Sequence, residues 1–224
     1  VPSPEYKILL RALIPFFNKV YVENRVFDSD HAFLKGRNCV TNAKKHIKNN
    51  LVLCLDIENF FDSLKETLLL KYIPPHILNI VLIGKAIPQG FPTSPILSNI
   101  AMINIDFKII MTLRKINSDI IYSRYADDLT ISFNSKSDLE LIHHSIKKIL
   151  DEYNLSLNAD KYSLYDKNHG RAIITGIGVS KNNVHPTRKT LRKMRAAAHQ
   201  QNLRSYLGLK EWSKCKHPKN SSQE

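Results

Sequence analysis

The sequence predicts an α+β fold, and three features carry that reading. Apolar residues return to one helical face over 5–20, a short apolar run at 51–55 suits a buried strand, and two β-prone runs, 120–125 and 129–133, flank Ala126-Asp127-Asp128. With 224 residues, 43% of them hydrophobic, the chain can bury a sizeable core as one domain or as one domain with an appendage.

Taken in order, Ile8, Leu9, Ala12, Leu13, Phe16 and Phe17 define the first helix. A more polar helix is predicted over 40–48, with Asn49 and Asn50 as its break. The strand 51–55 follows and Asp56 closes it. Residues 57–70 read as helical, and the Pro74-Pro75 pair interrupts what precedes it and opens a loop. The turn formers of 88–95 feed a helix over 96–113, with Ile96, Leu97, Ile100, Ile103 and Phe107 inward. The hairpin 120–133 carries its acidic residues at the tip. An amphipathic helix over 138–153, strands at 162–165 and 172–179, and a basic helix over 186–201 complete the pattern. No repeat or low-complexity tract interrupts it.

Charge points to a polyanionic partner. Lys and Arg number 33 against 20 Asp and Glu, a formal net charge of +13. From Lys181 onward eleven Lys and Arg face two Glu, so +9 of that charge sits in the tail. A solvated basic face would read the same way. Cys39, Cys54 and Cys215 are odd in number and lack C-x-x-C spacing, so neither a disulfide framework nor a zinc cluster is indicated and a reducing cytoplasm fits best. No apolar run reads as approaching the roughly 20 residues that cross a bilayer, so no membrane partner is expected. Val1 in place of an initiator Met reads as part of a longer chain. The nine histidines form no H-E-x-x-H, and there is no phosphate-binding Walker loop.

Two acidic sites remain, Asp56 at the end of an apolar strand and Asp127-Asp128 in the hairpin. Adjacent carboxylates repel unless cations or donors neutralise them, so acids at strand ends are candidate ligands for a hard metal. An Asp-Asp pair also suits an ordinary solvated turn. Context favours chemistry. Leu55-Asp56-Ile57-Glu58-Asn59-Phe60-Phe61, Pro88-Gln89-Gly90-Phe91-Pro92-Thr93-Ser94-Pro95, Tyr125-Ala126-Asp127-Asp128 and Leu157-Asn158-Ala159-Asp160-Lys161 together, and in this order, resemble the catalytic motifs of reverse transcriptases.

That resemblance implies a right-hand polymerase palm, a ferredoxin-like antiparallel sheet with packed helices, flanked by partial fingers and a basic helical thumb. It divides the chain into partial fingers (1–50), palm (51–180) and partial thumb (181–224). It also implies two magnesium ions and deoxynucleoside triphosphates, with one cation activating the primer hydroxyl and the other holding the triphosphate. By motif, Asp56 and Asp127 would bridge the metals, Asp128 would support the first metal, and the Ile57 carbonyl could complete the coordination. Phe61 matches a bulky gate against the 2′-hydroxyl, although Phe is also an ordinary core residue. Gln89 and Gly90 match residues beside the incoming nucleotide, and Lys161 matches a lysine near the site. Arg124 could project toward template or buttress the acidic turn.

Within the family, Asn42-Ala43-Lys44-Lys45-His46 fits the N-A-x-x-H segment of retron-type enzymes, and Ile174-Thr175-Gly176 resembles their V-T-G motif. Phe91 stands where Ala is common in them. The resemblance implies a structured noncoding RNA that serves as template and primer, and a branched RNA–DNA product, multicopy single-stranded DNA, made in antiphage defence beside an effector or toxin protein. Asn42, His46, Thr175, Gly176, Arg188, Lys189, Arg192, Lys193 and Arg195 are the expected RNA contacts. A group II intron-like or other defence-associated reverse transcriptase is the alternative, an RNA-directed RNA polymerase is disfavoured by Phe61, and an RNA-binding scaffold is the non-enzymatic reading.

Overall fold

The computed structural model describes residues 2–216, so the last part of the expected thumb, 217–224, lies outside the described residues. Two compact units interleave along the chain. One comprises Val1–Asp30, Asp56–Ser118 and Ser137–Asp160; the other comprises His31–Leu55, Asp119–Lys136 and Lys161–Glu224.

The first unit is helical. Its opening helix, α1 (Pro4–Asn24), has Ser3 as N-cap, accepting from the Tyr6 amide, with proline inside the first turn where no amide partner is lost. The helix α5 (Ser94–Ile116) packs against α1 and against α6 (Leu139–Glu152). Ile96, Leu97, Ile100 and Ile103 are buried as expected, whereas Phe107, expected inward, is exposed with Met111, Arg114 and Lys115 on the uncovered face. The helix also corrects the expectation that no apolar run approaches membrane-spanning length: α5 is 23 residues long and apolar enough by composition, and 72% of its most apolar window is buried as core helix. Phe91 packs edge-on against Tyr6, ring centroids 5.9 Å apart.

Residues 57–93 depart most from the predicted elements. Instead of one helix over 57–70 there is a single turn, α3 (Phe60–Ser63), and a 3-10 turn at Glu66–Leu68. Asn59 at φ +48° and the extended Leu64 break the helical path at both ends of α3. Lys65 bridges to Ala86, and Glu66 pairs with Lys85 at 2.9 Å. The Pro74-Pro75 pair starts a helix instead of a loop, because Pro75 occupies the first turn of α4 (Pro75–Val81), where its fixed φ suits the helix and its missing N–H costs nothing.

The second unit carries the sheets. The short helix α2 (Cys39–Lys44) opens with a capping box between Asn38 and Thr41. Strands β1 (Leu51–Asp56), β2 (Ile121–Tyr125), β3 (Asp128–Phe133) and β4 (Ser163–Asp166) form one sheet in the order β2-β3-β1-β4. With helices in the β1–β2 and β3–β4 connections, this is the ferredoxin-like order. β1 and β4 are antiparallel, as are β2 and β3.

A second sheet, β5 (Ala172–Ile174), β6 (Ile177–Val179) and β7 (Val184–Pro186), replaces the single strand predicted over 172–179. Thr175 and Gly176, at φ +44° and +79°, turn the chain between paired Ile174 and Ile177. Positive φ at both central residues is what a two-residue type I′ hairpin requires. Ala172, Ile174, Ile177 and Val179 bury their side chains with Cys39, Val40 and Ala43 of α2 and Val52 of β1. The basic helix is α7 (Arg188–His199), capped by Thr187, and it pairs with α8 (Leu203–Ser213), which sequence periodicity does not predict.

Candidate functional site

The acidic hairpin is tight. Tyr125 pairs with Asp128, leaving Ala126 and Asp127 as the turn. Ala126 sits at φ +56°, a conformation disfavoured by its Cβ. The fully buried Arg124 stabilises it: its Nη1 donates to the Ala126 carbonyl at 3.3 Å. Arg124 is therefore the buttress of the turn, which decides between the two roles open to it in the sequence. On the outer side of β2, the His31 amide donates to the Arg124 carbonyl at 2.8 Å, and His31 Nδ1 lies 2.8 Å from Thr41 Oγ1 of α2.

Strand order sets β3, which begins at Asp128, beside β1, which ends at Asp56. Burial pushes the Cys54 thiol of β1 up to about 12, and the charge of Asp128 adds to the shift. Asp56 is buried, whereas Asp127 and Asp128 are half-buried.

Past β1 the chain meets the last of the four motifs. The Asp56 carbonyl accepts from the Asn158 amide at 2.8 Å, Glu58 donates to the Ser156 carbonyl at 2.8 Å, and Ile57 bridges to Leu157. Phe61 is half-buried and edge-on to the buried Phe60 at 5.4 Å. Gln89 and Gly90 are exposed, and Gly90, at φ +85°, has nothing within 4 Å of where a Cβ would lie. Lys161 is exposed.

The expected RNA contacts divide into two groups. Arg188, Lys189, Arg192, Lys193 and Arg195 are all exposed on α7, and Arg188 and Lys189, with Arg171 and Gly176, line a cavity of about 730 Å³ over the second sheet. Thr175 is half-buried, its Oγ1 3.5 Å from the Cys39 carbonyl. Asn42 and His46 are different. Both are fully buried, and they bond to Ser123 and Ser132 of the hairpin. The RNA contacts expected of them are not ones their burial allows, because a motif read by composition does not reveal which helical face meets the sheet.

Ser123, Ser132 and Lys167 were not singled out in the sequence. Lys167 Nζ donates to the carbonyls of His46 at 2.8 Å and Ile47 at 2.5 Å just beyond α2, where a cation suits the free carbonyls of a helix end. Ser123, Thr130 and Ser132 at alternate places in apolar strands were the available signal for a buried polar face.

No group of three or more His, Cys, Asp or Glu is gathered to hold a metal ion among the described residues. Magnesium is held through one or two carboxylates, water and substrate phosphates, so a carboxylate pair on neighbouring strands fits it without an all-protein cage.

Comparison with known proteins agrees with this geometry. A family model described as reverse transcriptase (RNA-dependent DNA polymerase) matches residues 1–210. The chain is 29% identical over 204 residues to the retron Ec83 reverse transcriptase of Escherichia coli, covering 81% of this chain and 64% of that protein. It is 27% identical over 201 residues to the retron Ec73 reverse transcriptase of the same organism, covering 80% and 63%. The chain thus spans less than two thirds of the length of these relatives. Among solved structures, Candida albicans telomerase superposes with a TM-score of 0.56 at 12% identity, covering 82% of this chain and 38% of that one. The foamy viral protease-reverse transcriptase does so at 0.54 and 18%, covering 82% and 23%. At such identities they bear on fold alone.

Proposed function

The chain belongs to the reverse transcriptase (RNA-dependent DNA polymerase) family, and on that premise we propose that it is the palm-bearing part of a retron-type enzyme that copies a structured RNA into DNA. One observation carries the reading: within a ferredoxin-like sheet, the strand ending in Asp56 neighbours the strand opened by Asp128.

Asp56, Asp127 and the Ile57 carbonyl would hold magnesium, with Asp128 in support. The bound cations would supply charge neutralisation at the transferring phosphate and a more acidic primer hydroxyl. The chain's own residues do the rest. Arg124 fixes the turn that presents Asp127, as its bond to Ala126 supports. By motif, Phe61 would border the deoxynucleotide sugar, Gln89 and Gly90 would border the incoming nucleotide, and Lys161 would lie near the site. The exposed cations of α7 take RNA phosphates, helped by Gly176 in the lining of the basic cavity and by the neighbouring Thr175. Likeness to the retron Ec83 and Ec73 reverse transcriptases supports the retron-type reading, under which a noncoding RNA would be both template and primer, the product would be a branched RNA–DNA molecule, and the setting would be defence.

Primer extension on an RNA template tests the proposal. The protein should incorporate deoxynucleotides with magnesium, and Asp127→Asn should abolish synthesis while RNA binding persists. Equal DNA yield from the variant and the parent would refute the site. Sequencing of copurified nucleic acid should return a branched RNA–DNA species, and spliced intron RNA would move the protein to another lineage.

A further inference from the structure

Helix α2 and the segment that follows it hold the acidic hairpin through a chain of polar side chains that runs from Asn42 through Ser123, His46 and Ser132 to Asn49. Ser123 Oγ donates to Asn42 Oδ1 at 2.5 Å, so it accepts from His46 Nε2–H at 2.7 Å. His46 Nδ1 is then an acceptor, and Ser132 Oγ donates to it at 2.8 Å. Asn49 Nδ2 lies 3.4 Å from Ser132 Oγ and donates to the Ser132 carbonyl at 2.8 Å. One imidazole thereby holds one residue on each strand of the hairpin, and burial keeps the ring neutral, as this pattern needs.

The cost of the arrangement indicates its purpose. Asn42, His46, Ser123 and Ser132 are all fully buried, and apolar residues of similar volume often stabilise such a place as well or better. A polar network fixes direction where apolar packing tolerates sliding. Ser123 pairs with Thr130 and Ser132 with Ile121, so the grip falls on the strands that carry the turn, below the Tyr125–Asp128 pair. The His31 amide also reaches β2, at the Arg124 carbonyl, while the His31 ring bonds to Thr41 of α2.

We propose that Asn42 and His46 are positioning residues for the Asp127-Asp128 turn, locking Ser123 on β2 and Ser132 on β3 so that the carboxylates are held where phosphoryl transfer needs them. This rests on the polymerase centre proposed above. Misplacement of a reacting group by about 1 Å can cost on the order of 10²-fold in rate, whereas an RNA-contact role would appear in affinity.

The test compares His46→Leu, His46→Gln and Ser132→Ala with the parent full-length protein. Primer extension gives kcat, KM for deoxynucleotide and the magnesium needed for half-maximal rate; filter binding gives RNA affinity; and circular dichroism gives the folded fraction. His46→Leu should lower kcat by about 10²-fold per folded molecule, raise the magnesium requirement and leave RNA affinity unchanged. His46→Gln keeps a donor and an acceptor and should recover most of kcat, while Ser132→Ala should fall between. Loss of RNA affinity at unchanged kcat overturns the proposal, as do parental rates per folded molecule in all three. Where His46→Leu does not fold, parental kcat and magnesium dependence in the other two overturn it. Asp127→Asn run in parallel separates the failures. If it still makes DNA, the polymerase centre is misassigned; if it is inactive while the His46 variants keep their kcat, the positioning role alone is lost.

Discussion

Arg124 lies fully buried beneath the acidic turn and donates to the Ala126 carbonyl two residues ahead of it, at 3.3 Å. A guanidinium in the interior is expensive unless its donors are used. Its place here ties the stability of the hairpin to the conformation of a turn held at positive φ.

Arg124→Met keeps an unbranched stem and removes the donors. It should destabilise the fold by about 1–3 kcal/mol, read from urea unfolding, and lower DNA synthesis per folded molecule in primer extension. A variant with parental stability and rate would show that the turn needs no buttress.

The buried imidazole of His46 makes stability depend on pH. Burial lowers its pKa from 6.5 to about 3, with neighbouring His31, Lys45 and Lys167 adding to the shift. Between those values the unfolded chain binds the proton that the folded one refuses, so this contribution is complete above about 6.5 and falls as pH drops toward 3. The slope should approach about 1.4 kcal/mol per pH unit. Urea midpoints from neutral to acidic pH would measure it, and His46→Gln should flatten the curve.

Thr175 holds a β-branched side chain at φ +44° in a turn that favours Asn-Gly. Thr175→Asn should stabilise the fold by about 0.5–1 kcal/mol in urea unfolding. If the Thr175 hydroxyl also meets RNA, filter binding will show a loss of affinity beside that gain.

The exposed cations of α7 should act on affinity and not on chemistry. Removing Arg192 and Lys193 together as Gln should weaken RNA binding at low salt and reduce the slope of log Kd against log salt by about one for each phosphate no longer neutralised. A salt titration of binding measures both, and kcat at saturating RNA should stay near the parental value.

Under the proposed gate role of Phe61, Phe61→Ala opens space beside the nucleotide sugar. The variant should gain incorporation of ribonucleotides relative to deoxynucleotides in competitive primer extension, and unchanged discrimination would return Phe61 to a packing role beside Phe60.

Much of the fold was legible because period and punctuation act locally. The amphipathic stripe of α6 and the β-prone runs of the β2–β3 hairpin follow from neighbouring residues, as does the helix of α1. But α1 buries Leu10, Phe17, Val20 and Tyr21, whereas Ile8, Leu9 and Phe16 of the expected stripe are exposed. The misreadings have local causes too. Residues 57–70 have helical composition but turn at Asn59 and Leu64, and 172–179 read as one strand because Thr-Gly between Ile residues hides a two-residue turn. Pro74-Pro75 read as a loop, since a proline pair marks a boundary without saying which side is helix.

By itself the sequence determined the order of the four motifs, the acidic strand end and hairpin, and the basic helix, because these are properties of neighbouring residues. Only the tertiary structure decided that β1 lies beside β3, that Arg124 supports the turn instead of meeting template, and that Asn42 and His46 face inward onto Ser123 and Ser132. Those outcomes depend on which face of one element is covered by another distant in sequence. Burial of that face turns a polar side chain from a surface group into a fixed strut.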